Sequence, residues 1–221
     1  MRTVIFDLDG TLADTSADLI AAANACFRGL GAGELLHADT DALTAFQGGR
    51  AMLRLGLSRL GPVDEAVVDR WYPLLLAAYE EGIDRETRLY PGARDAVVAL
   101  RQAGFATGIC TNKPARLAEI LLQRLGVRDL FDALVGADTL AVRKPDPAPY
   151  HLAVRAAGGV SERSILIGDT ETDRRTAAAA GVASVLVSFG PEGAGIARLG
   201  PEALLDAYAD LPALAERLLP R

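Results

Sequence analysis

The stretch Thr3-Val4-Ile5-Phe6-Asp7-Leu8-Asp9-Gly10-Thr11 limits the possible folds more than any other part of this chain. An apolar, β-branched run stops abruptly at two aspartates, a glycine and a hydroxyl. Val4-Ile5-Phe6 reads as a buried strand. The two-residue period of a strand puts Asp7 and Asp9 on the same side, just past its carboxyl end. In an open α/β sheet that end is where ligands bind. Two carboxylates held there are costly unless a cation or a proton compensates them. Taken alone, the stretch also fits a strand-to-turn junction with aspartates as turn and cap residues, so the rest of the chain has to decide.

Four further short apolar runs read as strands, at roughly 106–110, 133–135, 165–167 and 184–187. Helical patterns separate most of them. Residues 94–102 carry Ala96, Val97 and Leu100 on one face and stop at Gly104. Pro114 opens the next helix, which aligns Leu117, Ile120, Leu121 and Leu125 before Gly126. Helices at 147–157 and 172–180 follow. Alternating strands and helices imply a parallel sheet with helices on both faces.

Residues from about 14 to 85 break this rhythm and read as helices only, at 16–30, 48–60 and 64–81, with a kink expected at Pro73. A strand–helix–strand unit has no room for so many helices before its second strand. The expected architecture is therefore α/β. A Rossmann-like parallel sheet sandwiched by helices is formed by residues 1–13 and 86–221, and an all-helical domain is inserted at 14–85.

A chain of 221 residues with half of them hydrophobic can bury a full core. No stretch has the apolar length of a membrane span, and with no basic-then-apolar pattern ahead of the first strand a secretory leader is not expected. The formal charge is −6, without an arginine-rich or lysine-rich run. That argues against a nucleic-acid partner and for a small molecule. Cys26 and Cys110 lie in apolar segments and read as small buried hydrophobes rather than a disulfide or metal pair; a cytoplasmic location is expected. Nothing in the sequence favours one oligomeric state over another. Lys113 and Lys144 are the only lysines among 23 basic residues.

Three more polar clusters occur, two of them just past apolar strand runs and one in a rigid loop. Thr111-Asn112-Lys113-Pro114 places a hydroxyl and exposed amides at a helix N-terminus, a setting that suits an anion, although taken alone Thr111 or Asn112 as a simple N-cap is the plainer reading. Arg143-Lys144-Pro145-Asp146-Pro147 holds a lysine in a proline-stiffened turn; a solvated loop lysine is the plainer reading. Gly168-Asp169-Thr170-Glu171-Thr172-Asp173 repeats the strand-then-aspartate pattern, with Asp173 one helical turn on. Helix capping accounts for one of these carboxylates better than for two.

The clusters gain force together. Strand carboxyl ends share one edge of a parallel sheet, so Asp7, Asp9, Asp169 and Asp173 would converge and repel unless a divalent cation binds. All-oxygen ligation favours Mg²⁺ over zinc. Thr111 and Lys144 would supply donors to an anion. A cation beside an anion cradle is what phosphoryl transfer requires.

The order Asp7-x-Asp9-Gly10-Thr11, Thr111-Asn112, Lys144-Pro145 and Gly168-Asp169-x-x-x-Asp173 resembles the haloacid dehalogenase-like hydrolases across essentially the whole chain. The helical insertion is similar to that family's C1 cap. Asp-Leu-Asp-Gly-Thr-Leu, Tyr-Pro-Gly, Thr-Asn-Lys and Gly-Asp-Thr-x-Thr-Asp look most like its phosphoglycolate phosphatase branch.

The resemblance implies a Mg²⁺-dependent phosphatase acting on a small phosphomonoester, with 2-phosphoglycolate the leading candidate, through an aspartyl-phosphate intermediate. It makes Asp7 the nucleophile and Asp9 the acid and base. It implies metal ligation by Asp7, Asp169, the Asp9 main-chain carbonyl and, directly or through a partner such as Lys144, Asp173. It implies phosphoryl binding by Thr111, Lys144 and the amides of Leu8, Gly10 and Asn112.

In the cap, Gln47-Gly48-Gly49-Arg50 is the candidate specificity loop, with Gly49 allowing close approach and Arg50 clamping a carboxylate or second phosphate. A glycine-rich start to a helix with a solvated arginine fits the same residues. Asp9 argues against a dehalogenase. The absence of lysine from residues 14–85 argues against a phosphonate hydrolase. A phosphoglucomutase-type enzyme remains the nearest alternative, and a non-enzymatic binding module on this fold is a more distant one. His37 and His151 have no partner at catalytic spacing; Trp71, Tyr72 and Tyr79 read as cap packing.

Overall fold

The structure is a computed structural model and describes residues 1–221. The chain divides into two compact units, one formed by Met1–Ala13 and Leu89–Arg221 and the other by Asp14–Arg88. The boundary falls inside two short strands, β2 (Ala13–Asp14) and β3 (Arg88–Leu89), which pair as a two-stranded sheet.

The first unit contains β1 (Thr3–Phe6), α5 (Ala93–Gln102), β4 (Ala106–Cys110), α6 (Ala115–Arg124), β5 (Ala133–Val135), α7 (Ala148–Ala156), β6 (Ser164–Gly168), α8 (Glu171–Ala180), β7 (Ala183–Val187), β8 (Ala203–Leu205) and α9 (Leu211–Leu218). Its six strands pair in the order β5-β4-β1-β6-β7-β8, all parallel. β1 is central and buried along its whole length, as are β4 and β6. Continuous apolar runs rather than alternation are what a sheet covered on both faces demands.

β1 joins β4 with Phe6 opposite Ile109, and β6 with Phe6 opposite Ile167. The chain therefore moves to one side of β1 for β4 and β5, then to the other for β6, β7 and β8. The carboxyl end of β1 sits at this reversal, where an open parallel sheet forms its binding crevice.

The five strands read from the sequence all form, and β8 adds a sixth at the edge. Its Ala-Leu-Leu run is too short and too poor in β-branched residues to stand out; it is held by pairing Val185 with Ala203 through Val187 with Leu205.

The second unit holds α1 (Ser16–Gly29), α2 (Ala38–Ala45), α3 (Gly49–Ser58) and α4 (Glu65–Glu81). Pro73 lies inside α4, which runs through it without a break in the helix. α2 occupies a stretch that carries too few apolar residues to show helical periodicity. Its start is fixed by Asp41, which accepts a hydrogen bond from the His37 amide at 2.8 Å and an ion pair from Arg59 at 2.6 Å. Close packing needs Gly56 on α3, where a Cβ would meet the Phe27 ring at 2.1 Å. Asp18, buried on α1, accepts from the amides of Glu86 and Thr87 and from the Thr87 hydroxyl. This ties the returning chain to α1. No helix is long and apolar enough to cross a membrane.

Candidate active site

The carboxyl ends of β1, β4 and β6, with the turn after β5, present one cluster of acidic and basic side chains. Asp7 follows β1 directly, and its amide donates to the Ile167 carbonyl at 2.9 Å. The backbone bearing the carboxylate is thereby fixed to β6. Lys144 reaches in from the turn after β5; its Nζ is 2.6 Å from Asp173 Oδ1 and 3.1 Å from Asp7 Oδ1. Asp7 Oδ1 is buried and receives no well-aligned hydrogen bond. It is close to a positive charge, yet its lone pairs remain available.

Asp169 follows β6 and accepts from the Thr11 hydroxyl at 2.7 Å. The Tyr208 hydroxyl in turn donates to the Thr11 carbonyl at 2.8 Å, so a residue from the far end of the chain braces the first turn. Asp173 sits in the first turn of α8. Its Oδ2 accepts from the Thr170 hydroxyl at 2.6 Å and from the Thr170 amide, while the Thr170 hydroxyl accepts the Asp173 amide. This reciprocal cap satisfies the helix N-terminus and leaves Oδ1 for Lys144. Asp173 thus holds Lys144 in place.

Two glycines make this convergence sterically possible. Gly10 has φ of +79°, and a Cβ there would lie 2.2 Å from Asp169 Oδ2; one on Gly168 would lie 2.4 Å from Asp173 Cβ. Side chains at these positions would push the carboxylates apart. Gly10 contributes in a way the sequence did not foretell: its amide donates to Ala13 O at 2.9 Å, inside the turn. The expected phosphoryl contact from this amide is therefore replaced by an internal turn bond. The Leu8 amide does face the Asp7 carboxylate and favours its charged form.

The ends of β4 and β5 complete the cluster. The Thr111 amide is taken by Val135 O at 3.0 Å, and its hydroxyl accepts from the Lys113 amide at 3.1 Å, so the hydroxyl proton remains to be donated. The Asn112 side chain donates to the Lys144 carbonyl at 3.0 Å and tethers one loop to the other. Lys113 grips Asp9, with Nζ 2.8 and 2.9 Å from its two oxygens. Sequence reasoning assigned Lys113 no part of its own. The one available sign was that this lysine-poor chain places one of its two lysines beside a phosphate-suited turn.

The electrostatics follow from burial. Desolvation pushes the Asp7 carboxyl up to about 6; Lys144 opposes this, and Asp173 and Asp9 add to it. Desolvation, then Asp173 and Asp7, push Asp169 well above the ordinary carboxylate range. Burial works against the charge of Lys144, but Asp173 and Asp7 outweigh it and hold the ammonium above its ordinary value.

Asp7, Asp169 and Asp173 offer carboxylate oxygens all within 4.8 Å of one another. Four carboxylates against two lysine ammoniums leave two negative charges unmatched, the complement of one divalent cation. An all-oxygen donor set with an available Asp7 oxygen fits a hard cation such as Mg²⁺.

In the helical unit, Arg50 is ion-paired with Asp69 and lies over the Tyr72 ring, 4.5 Å from its centroid. Gly49 permits helix packing, since a Cβ would meet Leu75 at 2.9 Å. The carboxylate held by Arg50 in this structure belongs to the protein itself.

The chain carrying this cluster matches known proteins over nearly its whole length. A family model described as haloacid dehalogenase-like hydrolase matches residues 4–187. A phosphoglycolate phosphatase of Mesorhizobium japonicum is 38% identical over 220 residues, covering 98% of this chain and 96% of that one. One from Agrobacterium fabrum is 38% identical over 217 residues, covering 97% and 93%. Among solved structures, a protein described as a predicted phosphoglycolate phosphatase from Haemophilus somnus superposes with a TM-score of 0.86 at 23% identity, covering 97% of each chain. At that identity the match speaks to the fold.

Proposed function

This chain belongs to the haloacid dehalogenase-like hydrolase family, and on that footing we propose that it is a Mg²⁺-dependent phosphatase of small phosphomonoesters, with 2-phosphoglycolate the foremost substrate. The observation that carries the reading is the buried meeting of Asp7 with Asp169, Asp173 and Lys144, beside an Asp9 held separately by Lys113. A purely structural cluster has no use for so much unmatched negative charge. The names of the relatives at 38% identity supply the substrate class.

Asp7 attacks phosphorus through a carboxylate oxygen, forming an acyl phosphate as the ester P–O bond breaks. Asp9 gives its proton to the departing oxygen, then takes one from the water that attacks the acyl phosphate, releasing inorganic phosphate and restoring Asp7. Lys144, kept charged by Asp173 and Asp7, faces the phosphoryl oxygens, and the Thr111 hydroxyl donates to them. The Leu8 amide, and that of Asn112, are further donors to this group. Asp7, Asp169 and the Asp9 carbonyl would hold Mg²⁺, with Asp173 acting through Lys144. When bound, the ion supplies charge neutralisation for the phosphoryl group and the carboxylates. The remaining work of the protein is positioning and electrostatics. The helical insertion, residues 14–85, is assigned the role of cap, with Gly49 and Arg50 as its substrate-selecting residues.

The test is phosphate release from 2-phosphoglycolate and 4-nitrophenyl phosphate with Mg²⁺, with EDTA, and with Asp7→Asn. Both substrates should be cleaved only by wild type with Mg²⁺, releasing one phosphate per ester. Near wild-type turnover by Asp7→Asn would refute the assignment. Transfer of phosphate between hydroxyls of a sugar phosphate, with little net release, would favour the phosphoglucomutase-type alternative.

A further inference from the structure

Twenty-one of the 23 basic residues are arginine, and both lysines lie in the acidic cluster. Lys144 has a place in the reading above. Lys113 has none, yet it is as deeply enclosed: its side chain is 4% exposed and that of its partner Asp9 16%. The two residues are 104 positions apart and are brought together by the pairing of β1 with β4, Phe6 opposite Ile109. Asp9 lies three residues beyond its strand position and Lys113 four.

The contact is rigid at both ends. The Lys113 amide donates to the Thr111 hydroxyl at 3.1 Å, its carbonyl accepts from Ala137 at 3.0 Å, and Pro114 follows to begin α6. On the other side, the turn that carries Asp9 is closed by Gly10 to Ala13 at 2.9 Å and by Leu12 to Leu8 at 3.0 Å. Nζ bonds both carboxylate oxygens at nearly equal distance, 2.8 and 2.9 Å, which fixes the rotation of the carboxylate plane as well as its position. Burying the pair carries a desolvation cost that a merely structural contact could avoid with two apolar side chains.

We propose that Lys113 is a positioning residue for the acid/base group. It clamps the Asp9 carboxylate in the one orientation from which a proton can pass to the leaving oxygen. The proposal rests on the phosphatase reading and adds to it a residue that acts on departure of the leaving group, not on the phosphoryl group itself. Position and alignment decide proton-transfer efficiency before any other property of the acid.

A leaving-group comparison tests this. Departure of an alkoxide from 2-phosphoglycolate needs protonation; departure of 4-nitrophenolate needs little. kcat/KM reports the steps through phosphoryl transfer to Asp7, so it isolates the acid role. Lys113→Met should lower kcat/KM for 2-phosphoglycolate by about 10- to 100-fold, and for 4-nitrophenyl phosphate by no more than about threefold. Inhibition by inorganic phosphate and half-saturation by Mg²⁺ should stay within about twofold of wild type, because Lys144, Asp7 and Asp169 are untouched. Equal loss on the two esters in a folded variant overturns the proposal. If Lys113→Met does not fold, Lys113→Gln, which keeps one donor, is measured the same way: a skewed loss supports the clamp and an even loss overturns it. A wild-type protein that cleaves neither ester with Mg²⁺ overturns the phosphatase reading and the clamp with it. A wild type that cleaves both, with a variant slowed evenly, overturns the clamp alone.

Discussion

Replacing the proposed nucleophile with its neutral isostere should make the metal-free protein more stable while abolishing its activity. Asp7 is buried next to Asp173 and Asp9, and its carboxyl is pushed from 3.8 up to about 6, chiefly by desolvation and against the pull of Lys144. At about 1.4 kcal/mol for each tenfold in proton affinity, keeping that carboxylate charged costs the folded state roughly 3 kcal/mol at pH 8. The sign follows from proton counting. Below 3.8 the carboxyl is neutral in both folded and unfolded chains and costs nothing. As pH rises from 3.8 to about 6 the unfolded chain releases its proton first, so stability falls; above about 6 the deficit is constant.

Asp7→Asn removes the deficit with little change of volume. Thermal unfolding in EDTA at pH 8 should show a rise of up to about 6–12 °C, from about 2–4 °C per kcal/mol in a chain of this size. At pH 5 the gain should be about half as large. Mg²⁺ relieves the same deficit by another route. It should therefore stabilise wild type by about 2.7 kcal/mol at a hundredfold excess over Kd, raising its Tm, and raise that of Asp7→Asn far less. A variant that melts below wild type in EDTA at pH 8, or gains equally at both pH values, would refute the claim that Asp7 is a strained, charge-burdened group awaiting a cation.

Three more perturbations probe other parts of the site. Thr11→Val removes the hydroxyl that Asp169 accepts at 2.7 Å and should raise the Mg²⁺ half-saturation of activity about 10- to 100-fold; an unchanged metal dependence would detach Thr11 from the metal site. Gly10→Ala combines a φ of +79° with a Cβ 2.2 Å from Asp169 Oδ2. It should cost about 2–4 kcal/mol in urea unfolding and most of the activity, and a wild-type midpoint would contradict the close approach. Arg50→Ala breaks an ion pair whose side chains are 39% and 66% exposed, so it should cost less than about 1 kcal/mol of stability. If Arg50 exchanges Asp69 for a substrate carboxylate, the KM for 2-phosphoglycolate should rise several-fold more than that for 4-nitrophenyl phosphate; equal rises would leave it a role in helix packing alone.

The elements most legible in the sequence are those whose stability is local or whose burial is uniform. Val4-Ile5-Phe6 reads as a covered strand, because a short, continuously apolar and largely β-branched run suits a sheet covered on both faces. α5 and α6 announced themselves through apolar spacing and through Gly and Pro at their ends. Asp7, Asp9 and Asp169 stood out because charge just past an apolar run is costly without a purpose, and Lys144 because it is one of two lysines and sits in a proline-stiffened turn. Parallel strands sharing one edge then implied that these residues meet.

Pairing and orientation lay beyond the sequence. β8 exists through its register with β7, and α2 through Asp41 gripping Arg59, neither of which leaves a periodic trace. Lys113 seizing Asp9 across 104 residues, Asp173 holding Lys144, Tyr208 bracing Thr11, and Gly10 spending its amide on Ala13 are decided by atoms a few ångströms apart in space. A sequence specifies which groups are available and which side of an element they leave from. Only the packed chain sets the distances and the exclusion of water that decide which carboxylate meets an ammonium, which keeps an oxygen open for chemistry, and how far burial shifts its proton affinity.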